Sequence, residues 1–484
     1  MKHGVVFIAV AVVANAAFAT AARPSIVNGS KWNCNYDEAK IAPYALEDPL
    51  TFLDGRKVNT AVEWRKRRAE ILGIFAKEMY GLPPPAPEEV ITETLEQGVT
   101  LGGFAIRRQI RMWFKKDRSG PYLDWLMLIP RHEKKPVPVI MGLNYRGNHE
   151  LIADKEVIVP DNAWIKNDVG AGITEHRPVE SARGRKCSAN ERSVFPADMI
   201  LARGYALMTA CYGQVAPDPV WCDRVLADRP EPRAFTGVFS LWGHDPKQSD
   251  GTGTLGAWAW ALSRGLDLVE RTEEVDARKC VVSGYSRLAK AALLAAARDE
   301  RFAVCVPVQC GAGGVQLLKR DFGETVAIIC RQFPHWFCPA YQKYADNEEN
   351  MPFDQHLLLA TIAPRPLLVL GFDERWYDTK GEWLSCRSAS PVWDFLGVPG
   401  LPDVPFPADY GKSCVGTHLA YIRRTERHGI SAYDWTWMMD FADRYFEADG
   451  RRGGGMKGQV CIASRGKVKK LYLEVSPERK VRRL

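Results

Sequence analysis

Apolar positions first take helical spacing between residues 64 and 80, and the run stops at Gly81-Leu82-Pro83-Pro84-Pro85, a breaker. Strand-like segments follow at 104–112, 125–129 and 137–143, the last leading into the polar loop Asn144-Tyr145-Arg146-Gly147-Asn148-His149. From residue 255 onward the pattern alternates: a helix at 255–270, a strand at 280–283, a helix at 287–298, strands at 302–308 and 367–371, and a closing amphipathic helix at 433–446. Alternation of this kind predicts an α/β fold, a mostly parallel sheet covered by helices on both faces. Residues 150–250 mix Gly, Pro and charged clusters with short apolar runs, and read as a long insertion shaping a cleft rather than as a separate domain.

The ends of the chain differ from this middle. Residues 1–19 combine Lys2, an apolar run over 5–13 and the small-residue ending Ala17-Phe18-Ala19, which reads as a cleaved signal peptide and a secreted or periplasmic product. No later segment reaches the roughly 18 uninterrupted apolar residues of a membrane span, so no stable membrane insertion is expected. The formal charge of +7 is concentrated at 451–484, where eleven Lys/Arg face two Glu, leaving the rest of the chain at about −2. Nucleic acid is therefore excluded as the partner of the main domain, taken as 20–450, and 451–484 reads as a basic tail. The twelve cysteines form no CxxC pair and no zinc pattern; Cys280 and Cys305 fall on strands that would be neighbours, but spacing fixes no pairing.

The chemistry centres on Val281-Val282-Ser283-Gly284-Tyr285-Ser286-Arg287, an apolar run ending in a Gly-x-Ser turn and then an Ala/Leu-rich helix. A serine at the tip of such a strand-turn-helix stands clear of the sheet, where a histidine can take its proton. Leu288 occupies the position where a second glycine is usual. In the α/β-hydrolase order the acid and then the histidine follow the serine, which leaves His418 and His428, with His428 favoured by its loop just before the last helix. The strand at 367–371 runs out into Asp373, Glu374 and Asp378, three candidate acids.

These residues resemble the glucuronoyl esterases of carbohydrate esterase family 15, the bacterial members in particular. Their Gly-x-Ser-Arg-x-Gly-Lys signature appears as Gly284-Tyr285-Ser286-Arg287-Leu288-Ala289-Lys290, with Ala289 in place of the glycine. Phe333-Pro334-His335-Trp336-Phe337, Trp376-Tyr377-Asp378-Thr379-Lys380-Gly381-Glu382 and Tyr433-Asp434-Trp435 match in the same order. The resemblance implies an α/β-hydrolase, a three-layer sandwich with an inserted cleft-forming region, acting as a serine esterase on the ester between (4-O-methyl-)glucuronic acid of glucuronoxylan and lignin alcohols. It implies Ser286 as nucleophile, His428 as base, Arg287 as oxyanion support, and Lys290, Glu324 and Trp376 as holders of the sugar. No cofactor or metal is needed for this chemistry, and a monomer is expected.

Two departures bear on the acid. Gln309 stands where some similar enzymes carry a glutamate, and a neutral amide cannot stabilise an imidazolium by charge. Many bacterial members place the acid two residues before the tryptophan matching Trp376, which points to Glu374, with Asp373 adjacent. The competing readings are another carbohydrate esterase, acting on acetylated xylan, and a non-catalytic glycan-binding protein on the same fold, the latter motivated by Gln309, Ala289 and Arg427.

Overall fold

The computed structural model describes residues 34–187, 194–219, 232–372, 374–406, 413–415, 418–424, 428–447, 459–464 and 467–472. The expected leader at 1–19, Asp373 and Arg427 lie outside the described residues. Ten strands form one sheet: β1 (Ile91–Thr100), β2 (Ala105–Trp113), β3 (Tyr122–Pro130), β4 (Val137–Asn144), β5 (Ala206–Cys211), β6 (Val275–Tyr285), β7 (Val304–Val308), β8 (Leu367–Phe372), β9 (Ser413–Val415) and β10 (Leu419–Arg424). Their spatial order is β1-β2-β3-β5-β4-β6-β7-β8-β10-β9. Pairing is antiparallel from β1 to β5, parallel from β5 to β10, and antiparallel again at β9. The hydrophobic core packs helices on this sheet, as an α/β-hydrolase requires.

The helices follow the apolar periodicity closely. α1 (Ala61–Phe75) opens on Thr60, whose hydroxyl accepts from Glu63 N at 3.1 Å while the Glu63 carboxylate accepts from Asn59 N at 2.8 Å, a variant of the capping box. It runs into a wide π turn, Ala76–Tyr80, before Gly81 ends it. α2 (Thr254–Val269) and α3 (Arg287–Arg298) pack together beside β6, α4 (Thr379–Ala389) follows β8, and α5 (Ala432–Glu447) follows β10. Among the described residues, no helix is long and apolar enough to cross a membrane.

Two expectations change. Residues 150–250 are not all insertion: β5 lies in the middle of the sheet, between β3 and β4. All six of its residues are buried, so it has no polar/apolar alternation to announce it. The basic segment contains a two-stranded antiparallel hairpin, Gln459–Ser464 with Lys467–Tyr472, in a unit separate from the main one. Its Lys-rich second strand masked any apolar pattern. Cys280 and Cys305 lie on adjacent strands, as expected, and both are free thiols.

Candidate active site

Ser286 sits where β6 turns into α3, with φ 57° and ψ −124°. A non-glycine residue in that region is strained and is held there by its surroundings. Two features hold it: Ser286 N donates to Val308 O at 2.9 Å, and the Tyr145 hydroxyl donates to Tyr285 O at 2.5 Å. Gly284 is required by close approach, since a Cβ there would stand 2.2 Å from Leu288 O. Leu288 is itself buried in the core, so the second glycine of the usual elbow is replaced by packing.

β6, β8 and β10 run parallel, and Ser286, Glu374 and His428 all follow their carboxyl ends. His418 falls at the opposite, amino end of β10, where its carbonyl accepts from Leu367 N at 2.8 Å. The sheet thus separates the two candidate histidines. Asp378 is also accounted for, because its carboxylate caps α4 through Gly381 N at 3.0 Å and pairs with Arg320 at 2.7 Å.

The His428 imidazole opens toward solvent but is ringed by Tyr285, Phe372 and Tyr377, with ring centroids 4.8, 5.5 and 5.6 Å away. Loss of solvation among these rings lowers its pKa below the ordinary histidine value, and Arg287, Lys290 and Arg424 add repulsion. Among the described residues, Nδ1 is hydrogen-bonded to the Tyr285 hydroxyl at 2.7 Å and not to Glu374. Glu374 is half-buried at the head of the turn after β8, and its charge is felt by both Tyr285 and Tyr377.

Gln309, where some similar enzymes carry a glutamate, has a different task. Its amide Nε2 donates to Gly429 O at 2.5 Å, and its Oε1 accepts from Gly429 N at 3.1 Å. Arg424, ion-paired with Asp434, donates to the same carbonyl at 2.8 Å. The residue beside His428 is therefore clamped by a buried amide, which gives and accepts at once without needing to take up a proton, as a carboxylate there would. Replacing Gln309 with alanine is expected to cost about 1–3 kcal/mol of stability for the two lost bonds. It should also lower kcat by roughly tenfold or more through misplacement of the base. Thermal melts and ester kinetics measure both, and a wild-type kcat would show that the loop holds without the clamp.

Arg287 is buried, and its guanidinium pairs with Asp218, lying 5.1 Å from the ring centroid of Trp336 and 5.3 Å from that of Phe333. Asp218 also accepts from His335 Nε2 at 2.8 Å and Trp336 Nε1 at 3.0 Å. Burial works against its charge, but Arg287 and His335 prevail and hold its pKa at about 2. Asp218 and Tyr285 carried no sequence signal: one lies in an irregular stretch, the other is the variable residue of the elbow.

Lys290, Glu324 and Trp376 lie near one another on three different elements. The Lys290 ammonium donates to Cys310 O and stands 6.0 Å from the Trp336 ring centroid, while Glu324 N donates to Trp376 O at 3.0 Å. Burial lowers the Lys290 pKa and pushes Glu324 up to about 7, against the pull of Lys290 and Arg287. Glu382, buried nearby and accepting from Gly311 N at 2.9 Å, is pushed up to about 8 by the same cause. Ser286, Arg287 and His428 line one cleft of about 300 Å³. A strained serine, a neutral-leaning imidazole and a fixed guanidinium in one cleft suit nucleophilic attack on a carbonyl.

Residues 223–397 match the family model described as glucuronyl esterase, fungi. The chain is 36% identical over 415 residues to carbohydrate esterase MZ0003 from an unknown prokaryotic organism, covering 85% of this chain and 92% of that one. A promiscuous CE15 esterase from a marine bacterial metagenome superposes with a TM-score of 0.76 at 35% identity, over 85% of this chain and 99% of the other. The glucuronoyl esterase from Solibacter usitatus does so with a TM-score of 0.74 at 34% identity, over 84% and 99%.

Proposed function

Because the chain belongs to carbohydrate esterase family 15, the glucuronoyl esterases, and so is a carboxylic ester hydrolase, we propose that it cleaves the ester joining (4-O-methyl-)glucuronic acid of glucuronoxylan to a lignin alcohol. The observation that carries this reading is the strained Ser286 sharing one cleft with Arg287 and His428, with the polar set Lys290, Glu324 and Trp376 close to Arg287. We propose secretion or export as the setting, since the substrate is an extracellular polymer.

His428 takes the Ser286 Oγ proton, and Oγ attacks the uronate carbonyl carbon. The oxyanion is met by the Arg287 guanidinium and by the Arg287 N–H in the first turn of α3. As the intermediate collapses, the imidazolium protonates the departing alcohol. Water, deprotonated by the same imidazole, then releases the acid. With Nδ1–H donating to the Tyr285 oxygen, Nε2 keeps the lone pair that this base needs. Glu374 supplies the balancing negative charge, acting at one remove through Tyr285 in the resting geometry.

Hydrolysis of a benzyl glucuronate ester, beside an acetylated xyloside, tests the reading. The wild type is expected to favour the uronate ester. The acid limb of kcat/KM is expected below the unperturbed histidine value of about 6.5, because activity is lost only as pH falls through the lowered pKa of His428. Glu374→Ala should reduce kcat more than Tyr285→Phe. A preference for the acetyl ester, or full activity in Glu374→Ala, would count against the substrate and the acid respectively.

A further inference from the structure

Glu382 is a fully buried carboxyl for which the mechanism above has no use. It stands in the first turn of α4, whose start is pinned in place: the Asp378 carboxylate accepts from Gly381 N, Arg320 pairs with that carboxylate, and the Tyr421 hydroxyl donates to Thr379 O at 2.9 Å. From this fixed base the side chain passes Gly371, near the end of β8, and accepts from Gly311 N at 2.9 Å. Residue 371 has to be glycine for that passage, since a Cβ there would stand 2.6 Å from Glu382 Oε2. Among the described residues Oε2 has no hydrogen-bond partner, so the bond to Gly311 is the one this carboxyl makes. A buried acid with a single backbone bond calls for a reason, because its desolvation is not offset locally.

The reason lies in the turn to which Gly311 N belongs. β7 ends at Val308, and each residue that follows carries part of the site. Gln309, at φ 54°, is a non-glycine residue held in the left-handed region, and its N donates to Leu370 O at 2.8 Å. Its side-chain amide clamps Gly429, the neighbour of His428. Cys310 O accepts from the buried Lys290 ammonium, and Gly311 N is the atom that Glu382 holds. Strain of this kind persists only where the surroundings fix it, and a shift of the turn would move the base and the cation together. Resting on the proposed esterase reading, we infer that Glu382 is a positioning residue: through Gly311 N it fixes the turn at 309–311, and through that turn both the loop carrying His428 and the ammonium that grips the sugar.

Two conservative variants separate reach from charge. Burial pushes Glu382 up to about 8, so near pH 7 the neutral acid dominates, and glutamine keeps both its length and its acceptor. Glu382→Asp keeps the acid but draws it back by one methylene, about 1.5 Å, away from Gly311 N. Glu382→Gln is expected within about threefold of wild type in kcat and KM, for a benzyl glucuronate ester and for 4-nitrophenyl acetate alike. Glu382→Asp should raise KM for the glucuronate ester roughly five- to tenfold and lower kcat for both esters by roughly three- to tenfold. Its KM for the acetate, which has no sugar for Lys290 to hold, should stay unchanged. Adding Gln309→Ala to Glu382→Asp should lower kcat little beyond Gln309→Ala alone, since both act through one turn. A merely structural acid would reduce the amount of active enzyme, and so the apparent kcat for both esters, without moving either KM. That pattern overturns the inference, as do a Glu382→Gln variant as impaired as Glu382→Asp and kcat losses that multiply in the double variant. Should Glu382→Asp fail to fold, the limit set for Glu382→Gln still decides. A wild type inactive on the glucuronate ester alone would instead mark failure of the substrate reading, and kcat for the acetate would then decide the link to His428.

Discussion

Ser286→Ala is expected to lower kcat for a benzyl glucuronate ester by roughly four to six orders of magnitude, as for members of a triad that act as a unit. The change removes a single oxygen, and alanine inherits the same backbone at φ 57°, so the strain is neither relieved nor increased. The bond from residue 286 N to Val308 O and the Tyr145 contact to Tyr285 O involve backbone atoms that the substitution leaves in place. Melting temperature and KM should therefore change little, which separates lost chemistry from lost folding. Kinetics and labelling with a fluorophosphonate provide the measurement. A variant within about tenfold of wild-type kcat would remove Ser286 as nucleophile.

Where a local pattern determines structure, the sequence displayed it. α3 spans Arg287–Arg298, the range its apolar spacing predicts, and β6 to β8 fall where short apolar runs meet glycine and proline. β5 escaped because a strand buried on both faces has no alternation, and the edge strand β1 because it buries Thr100 while leaving Val99 exposed, against any simple polar/apolar alternation. The site divides along the same line. Ser286 and Arg287 were legible because the elbow is a local motif, and the side of the sheet on which each candidate histidine falls depends only on strand direction. The partners of these residues are set by tertiary contact. Asp218 meets Arg287 from 69 positions away, Tyr285 reaches His428 across 143, and Gln309 meets Gly429 across 120. No spacing rule connects such pairs, which is why an amide at position 309 read as a missing acid rather than as a clamp.

Arg287→Ala is expected to lose both catalysis and stability, and pH should separate the two. Loss of an oxyanion donor lowers kcat by about a hundred- to a thousandfold. Removing one member of a buried ion pair costs about 3–5 kcal/mol, because Asp218 is left buried with its charge. In the wild type the folded pKa of Asp218 is depressed to about 2, so its contribution is present at neutral pH and lost as pH falls from the unfolded value of about 3.8 through 2. Without Arg287 the main cause of that depression is gone, and burial pushes the carboxyl upward. A raised folded pKa reverses the sign: the variant suffers most at neutral pH and recovers as Asp218 takes up a proton on acidification. Urea or thermal unfolding at pH 7 and pH 4 should thus show the gap between wild type and variant narrowing at the lower pH. An equal gap at both would mean that His335 and Trp336, rather than Arg287, hold the Asp218 carboxylate ionised.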